Sequence, residues 1–439
     1  MRVKGNEDVV HQRFPASDRR GARRRIKRKV YQKMKTTKFK PSEVGPIPEE
    51  WEVKRLGDVA SNFNYGVGAE AIPFVSGRKY IRITDIDEQS RKFIPPSLTA
   101  PSFETDKSRV NEGDILVART GASVGKTYIY DIKDGDLTFA GFLMRFHPDE
   151  VCPAYVFMST LAGRYKRWVD SESARSGQPG INIQQLKTFE IPIPPRPEQE
   201  KIAEALSDVD ALLAAMTKLI EKKRAIKQGA MQQLLTGKKR LAGFTGKWVE
   251  KRLGECSTMF AGGTPSSNVD GYYGGAIPWV SISDISIAGK YIEATSETLT
   301  EEGLNNSSAK WYPQNTLLFA MYASIGKCCI ARKRLTSSQA ILGIYNFRDV
   351  DIEFLYYLLT FRNGEFLTMG QTGTQANLSK SIVEDVIIDA PTLAEQKAIA
   401  AVLSDMDAEI ALLESKRAKY ESIKQGMMQE LLTGKTRLV

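Results

Sequence analysis

At 439 residues the chain has room for two to four compact domains of about 100 to 200 residues each. With 42% hydrophobic and 26% charged residues its composition is that of a globular protein, which excludes a fibrous or wholly disordered chain. The net charge of +10 is concentrated at one end, since residues 1–40 hold 15 Lys/Arg against 3 Asp/Glu and leave the rest at about −2, so bulk charge does not mark the body as a nucleic-acid binder.

The first segment, residues 1–40, reads as a basic, disordered tail whose Arg19–Lys29 cluster has the charge to touch phosphates, and Met34 offers a second translation start. It carries no charged-apolar-small leader, and the chain has no run of about 18 apolar residues to cross a bilayer, so a cytoplasmic location without membrane contact is expected. A mixed globular module follows over 41–196, with short apolar strands such as Asp114–Ala118, Gly/Pro/Asn/Ser loops and a helix near 155–169.

A long helix is expected over 197–240. Pro195 and Pro197 mark its start, and Ile202, Leu206, Val209, Leu213, Met216 and Ile220 recur in alternating steps of four and three, the seam of a coiled coil. A second mixed module spans 241–392, with a strand at Ala276–Ile282 and a helix near 352–361. The last segment, 393–439, repeats the helix, with its seam at Ile399, Leu403, Met406, Ile410 and Leu413, a capping box at Thr392-x-x-Glu395, and Gly434 past the end as Gly237 is in the first.

The two long helices align without gaps at an offset of 197 residues, and over half their positions are identical. The same offset carries Trp51, Lys54, Arg55, Leu56 and Gly57 onto Trp248, Lys251, Arg252, Leu253 and Gly254. Between these anchors the modules diverge, apart from echoes such as Thr84-Asp-Ile86 beside Ser283-Asp-Ile285. The unit is therefore a module followed by a helix, used twice: similar frames that hold different surfaces. Chain order puts a module at either end of the first helix, and one shared seam implies antiparallel pairing. About 38 helical residues at 1.5 Å each give a ruler of roughly 57 Å. The expected fold is α+β: two mixed α/β modules separated by two long antiparallel coiled-coil helices, with a pseudo-two-fold internal repeat. Gly229 and Gly426, in matching Lys-Gln-Gly segments, each cost a helix interior about 1 kcal/mol, which points to a kink or a close helix approach there.

Catalytic and metal chemistry is poorly provided for. The four cysteines (Cys152, Cys256, Cys328, Cys329) have no CxxC spacing, and the only histidines are His11 and His147, which argues against zinc sites and against His-dependent nucleophilic catalysis. Gly121-Ala-Ser-Val-Gly125-Lys126-Thr127 has three residues between its glycines where a phosphate loop needs four, and its counterpart Tyr322-Ala-Ser-Ile-Gly326-Lys327-Cys328 lacks the first glycine and the hydroxyl. Both copies keep Ser-x-Gly-Lys, a turn suited to a phosphate or a base edge. The loops Gly262–Ser266, Ser176–Asn182 and Gln371–Asn377 carry Gln, Asn, Ser and Thr, side chains that read base edges and also populate ordinary solvent loops.

The order of Gly45-Pro-Ile-Pro-Glu-Glu-Trp51 with Lys54-Arg-Leu-Gly-Asp58, Ile191-Pro-Ile-Pro-Pro195 with Glu198-Gln199, and Leu234-Leu-Thr-Gly237 through Phe244 resembles the specificity subunit of type I restriction-modification systems, from about Lys38 onward. The resemblance implies two target-recognition domains, each reading one half of an asymmetric split site on double-stranded DNA, with the paired helices setting the gap and docking two methyltransferase subunits. It implies no cofactor in this chain: S-adenosylmethionine belongs to the modification subunits, and ATP and magnesium to an ATP-dependent motor-nuclease. The chain is thus expected to be non-catalytic. A methyltransferase-only system and a coiled-coil scaffold without DNA selectivity are the rival readings. On this basis DNA contact is expected from Arg82, Thr84, Arg119, Ser123, Lys126, Gln178 and Asn182 in the first module. In the second it is expected from Thr264, Ser266, Ser281, Ser283, Ser324, Lys327, Gln371, Thr374, Gln375 and Asn377.

Overall fold

The computed structural model describes residues 37–174, 178–370 and 377–439, and most of the basic tail lies outside them. The chain divides into two compact units, one formed by the chain up to Ala215 together with Arg417–Val439, the other by Met216–Lys416. Each long helix is therefore shared between the units instead of forming a segment of its own.

In the first unit a four-stranded antiparallel sheet is built from β1 (Ala60–Tyr65), β2 (Ile115–Ala118), β3 (Thr127–Ile129) and β4 (Leu143–Pro148), in the order β1-β4-β2-β3. The run Ile115-Leu-Val-Ala118 is apolar throughout because both faces of its strand are covered. Ile115 and Val117 enter one hydrophobic cluster, and Leu116 and Ala118 the other. The second unit repeats the plan with β5 (Thr258–Ala261), β6 (Tyr291–Ile292), β7 (Leu317–Ala320), β8 (Cys328–Ala331) and β9 (Ile341–Tyr345), in the order β5-β9-β7-β8-β6. Leu317 and Phe319 face one cluster there, Leu318 and Ala320 another. The offset of 197 survives in strand register: Glu52–Arg55 pairs antiparallel with Glu190–Ile193, and Val249–Arg252 pairs in the same register with Ile387–Ala390.

The long helices run over Arg196–Leu234 and Leu393–Leu431, unbroken through Gly229 and Gly426. A Cβ on either glycine would meet nothing within 4 Å, so neither the kink nor the close approach expected from the sequence occurs within the chain. Gly237 and Gly434 do hold the left-handed conformation that ends each helix, at φ +67° and +70°.

Within the first unit, Ile202 and Leu206 at the start of the first helix pack with Met428, Leu431 and Leu432 at the end of the second, all inside the core of the first module. Within the second unit, Ile399 and Leu403 pack in the same way with Met231, Leu234 and Leu235. The early seam residues thus serve a module core as well as the helix pair. Met216, Ile220 and Ile410 are also buried, and Val209, Leu213, Met406 and Leu413 are half-buried. Antiparallel pairing is fixed by Lys424 with Asp210 at 2.6 Å in the first unit, and by Lys227 with Asp407 at 2.5 Å and Lys223 with Glu409 at 2.7 Å in the second.

Each junction is locked by the same anchor residues. Arg437 donates to both oxygens of the buried Glu198 at 2.7 Å, the Trp51 indole donates to Glu198 at 3.2 Å, and the guanidinium lies 5.7 Å from the Trp51 ring. In the second unit Arg240 takes both oxygens of Glu395 and lies 5.8 Å from the Trp248 ring. Glu395 therefore spends its carboxylate on an arginine 155 residues away, not on the capping box expected from Thr392. Gln199 and Gln396 add a second matched pair of bonds, accepting from the N–H of Cys152 and Asp351 and donating to the carbonyls of Pro194 and Pro391.

Candidate nucleic-acid interface

In the first module three expected segments converge at one end of β2. The turn Arg119–Lys126 closes on itself: Ala118 donates to the Lys126 carbonyl and Gly125 to the Ala118 carbonyl, both at 2.8 Å, with Gly121 and Gly125 at φ +78° and +80°. The N–H groups of Gly121, Val124, Gly125 and Lys126 are all spent on backbone carbonyls, so these four are not open to a phosphate.

The segment 82–88 lies against that turn. Lys126 is 7% exposed, and its ammonium donates to the Ile86 carbonyl at 2.9 Å and pairs with Glu88 at 3.1 Å. Ser123 donates to Glu88 as well. Burial pushes the Glu88 carboxyl up, but Lys126, Arg91 and Ser123 outweigh it and hold it below the usual range. Lys126, expected at the surface, is thus an internal strut. Arg82 is likewise engaged, bidentate on the buried Asp85 at 2.9 Å, while Thr84 is exposed.

The third segment reaches the turn through a bridge between Thr120 and Gly180, with Ile181 N–H donating to the Arg119 carbonyl at 2.9 Å. It leaves Gln178 exposed beside Gly121. Asn182 is exposed too, but its side chain caps the helix Ile183–Lys187 by accepting from Gln185 N–H. The Arg119 guanidinium lies over Tyr65 at 4.8 Å, and the backbone N–H of Arg119 donates to the carbonyl of Phe142, a residue 66% exposed. Sequence reasoning did not select Tyr65 or Phe142, because nothing local distinguishes them from core aromatics.

The second module keeps the frame and changes its contents. Ala320 donates to the Lys327 carbonyl and Gly326 to the Ala320 carbonyl, as in the first turn, and Ala323 takes φ +57° where the first has a glycine. Here Lys327 is exposed and makes no ion pair or hydrogen bond through its side chain among the described residues. Tyr322 bridges to Asn377, and Leu378 N–H donates to the carbonyl of Met321, a buried residue in the place of Arg119.

Ser281 caps Ile282–Ile287 and bonds Ser283, while Ser324 bonds Ser286 at 2.8 Å. Burial pushes Asp284 up, but the groups of Ser281 and Ser296 hold it net below the carboxylate range, so the Thr/Ser-Asp-Ile echo is a repeated cap. Thr264 accepts weakly from Gln339 N–H, and Ser266 is exposed. Gln371, Thr374 and Gln375 lie outside the described residues.

All four cysteines are buried and free, and burial pushes the Cys328 thiol up to about 12. Among the described residues no group of three or more His, Cys, Asp or Glu is placed to hold a metal, and no helix is long and apolar enough to cross a membrane.

Comparison with known proteins agrees with this duplicated frame. The type I restriction enzyme MjaVIII specificity subunit of Methanocaldococcus jannaschii is 25% identical over 438 residues, covering 93% of this chain and 98% of that protein. The MjaIX specificity subunit of the same organism is 32% identical over 181 residues, 40% of this chain and 41% of that protein. Among solved structures, the type I restriction-modification S subunit from M. genitalium superposes with a TM-score of 0.56 at 15% identity, over 87% of this chain and 96% of that one, a likeness of fold. Residues 48–227 and 245–422 both match the family described as the type I restriction modification DNA specificity domain, one match per repeat, and the chain belongs to that family as a specificity subunit that recognises DNA sequence.

Proposed function

We propose that each module reads one half of an asymmetric, two-part site on double-stranded DNA, and that the helices set the gap between the halves and seat two methyltransferase subunits. The observation that carries this reading is a frame kept in register with its contents exchanged. At one structural position the first module has a half-exposed Arg119 and the second a buried Met321, and the lysine of the shared turn is internal in the first and free in the second. Two such surfaces suit two different sequences. Arg, Gln and Asn offer bidentate bonds to guanine or adenine, while Ser and Thr suit either base type.

Among the described candidates, the exposed or half-exposed side chains that make no hydrogen bond within the chain are Thr84, Arg119 and Gln178 in the first module, and Ser266, Lys327 and Asn377 in the second. Chemistry resides in the partners: methyl transfer from S-adenosylmethionine in the modification subunits, and ATP- and magnesium-dependent translocation and cleavage in a motor-nuclease. Co-expression with the methyltransferase subunit of the same locus, followed by methylation-sensitive sequencing, tests the reading. Two short methylated blocks at a fixed gap are expected, and a stable complex that leaves no methylated motif would overturn it.

A further inference from the structure

Phe142, Arg119 and Tyr65 meet at one end of the first module's sheet. Leu143 pairs with Ala118 and Met144 with Val117, so one further step in register sets Phe142 opposite Arg119. Met144 also pairs with Tyr65. Opposite residues share a face of a sheet, and so do residues two apart on one strand. The three side chains therefore extend, beyond the core, the face on which Val117 and Met144 are buried.

Their backbone is fixed. Gly66 N–H donates to the Leu143 carbonyl at 3.2 Å, Gly141 N–H to that of Val67 at 2.8 Å and Leu143 N–H to that of Ala140 at 2.8 Å. A Cβ on Gly66 would stand 2.2 Å from the Ala140 carbonyl oxygen, so the two segments close only on a glycine. Tyr65 is tied through its hydroxyl, which accepts from Ile183 N–H at 3.3 Å. The Phe142 ring stands out from this rigid turn, and the Arg119 guanidinium keeps its donors free of hydrogen bonds and ion pairs among the described residues.

The second module builds the same turn without these groups. Gly262 N–H donates to the Ile341 carbonyl and Met321 N–H to that of Ala340, while Ala261 pairs with Leu342 as Tyr65 does with Met144. Tyr65, Arg119 and Phe142 are thus replaced by Ala261, Met321 and Ala340. The frame needs none of the three. A lone exposed ring is ordinary, but a ring opposite an unpaired guanidinium, exchanged together with it, forms a unit.

The chemistry of that unit selects its ligand. A phosphate would engage the arginine and leave the ring idle, whereas base edges use both: arginine bonds guanine O6 and N7, and an apolar ring contacts the thymine methyl group. Opposite residues stand about 5 Å apart and successive bases about 3.4 Å, so the two contacts fall on neighbouring pairs. We propose that the first module reads a guanine through Arg119, held over Tyr65, and the methyl group of a thymine in the adjoining base pair through Phe142. The proposal rests on the reading of the chain as a specificity subunit whose modules each recognise half a site.

The test uses the full chain in complex with the methyltransferase subunit, after methylation-sensitive sequencing has given the two-part site. Arg119→Ala should relax the preference for one guanine about tenfold, in one half-site only, and an A·T pair should adjoin that guanine. Duplexes with uracil for that thymine lose one methyl group, and binding is followed by fluorescence anisotropy. Uracil should weaken the wild-type complex about fourfold and leave the Phe142→Ala complex unchanged, while Phe142→Leu, which keeps an apolar tip, should retain part of the effect. Thermal unfolding checks that each variant is folded. Equal losses with uracil in wild type and Phe142→Ala would overturn the proposal, since another group would then read the methyl. No loss in the wild type, with Phe142→Ala still weakened, would also overturn it and make the ring a wedge between bases. Relaxation at no guanine by Arg119→Ala would overturn the arginine contact. A complex that recognises no two-part site would instead defeat the broader functional reading.

Discussion

Arg437 shows how much of the first unit depends on one residue, the third from the last in the sequence. Its guanidinium neutralises Glu198, a carboxylate 1% exposed at the side chain, and also reaches Glu50 at 2.9 Å. Arg437→Ala leaves Glu198 buried with only the Trp51 indole and the Leu438 N–H as donors, which should cost the first unit about 3 kcal/mol, read as a lower urea midpoint. An unchanged midpoint would mean that water replaces the guanidinium at no cost.

The two turn lysines make a second contrast at this scale. Lys126→Met should lower stability by about 2 kcal/mol through the unpaired Ile86 carbonyl. Lys327→Met should leave stability alone, weaken DNA binding by the assembled complex and reduce the salt dependence of binding by about one counterion, measured by fluorescence anisotropy across a salt series. A stability loss for Lys327→Met, or an unchanged salt slope, would count against this division. The sequence showed both lysines in the same Ser-x-Gly-Lys turn; what separates them is Ile86 and Glu88, brought against Lys126 by chain folding that no local pattern encodes.

At the level of elements, the long helices were legible and the way they are held was not. Seam periodicity and the flanking Pro signals placed the starts of the helices to within one residue, because those signals are local, while the helices end at Leu234 and Leu431, six and eight residues before the expected bounds. The meaning of the repeated Glu and Arg anchors was hidden, since Glu198 and Arg437 lie 239 positions apart and Arg240 and Glu395 lie 155 apart. Nor did the sequence show that the modules grip the helices differently.

In the second unit Lys290 donates to Glu353 at 2.8 Å and to Ser404 at 2.5 Å, and Tyr357 donates to Asp407 at 2.7 Å. Counted from the matched Cys152 and Asp351, the first module has Ala154 and Met158 in the places of Glu353 and Tyr357. Burial raises the Glu353 carboxyl, but bonds from Lys290, Tyr291 and Ser404 outweigh it and hold it below its ordinary value. A depressed carboxylate stabilises the fold above its unfolded pKa, and that contribution is lost as pH falls through the folded value. Thermal unfolding of the second unit should therefore weaken on acidification below the ordinary glutamate range, and Glu353→Gln should flatten that part of the profile. Parallel profiles for variant and wild type would remove Glu353 from the pH response.

On the scale of the whole molecule, the duplicated plan was readable because it lies in the one-dimensional offset of 197, carried intact into strand register and helix ends. The surfaces were not, because recognition loops have no period and their side chains divide between capping, bracing and free positions only after folding. The same plan supplies a test of the ruler. The boundary between compact units crosses the first helix after Ala215 and the second after Lys416. Four residues added at both places leave the ion pairs and core contacts within each unit intact, while lengthening each helix by about 6 Å. The gap in the methylated site should then grow by about one to two base pairs, with both half-sites unchanged, as read by methylation-sensitive sequencing. An altered half-site would mean that the helices shape base recognition and do not only space it, and an unaltered gap would mean that spacing is set by the partner subunits.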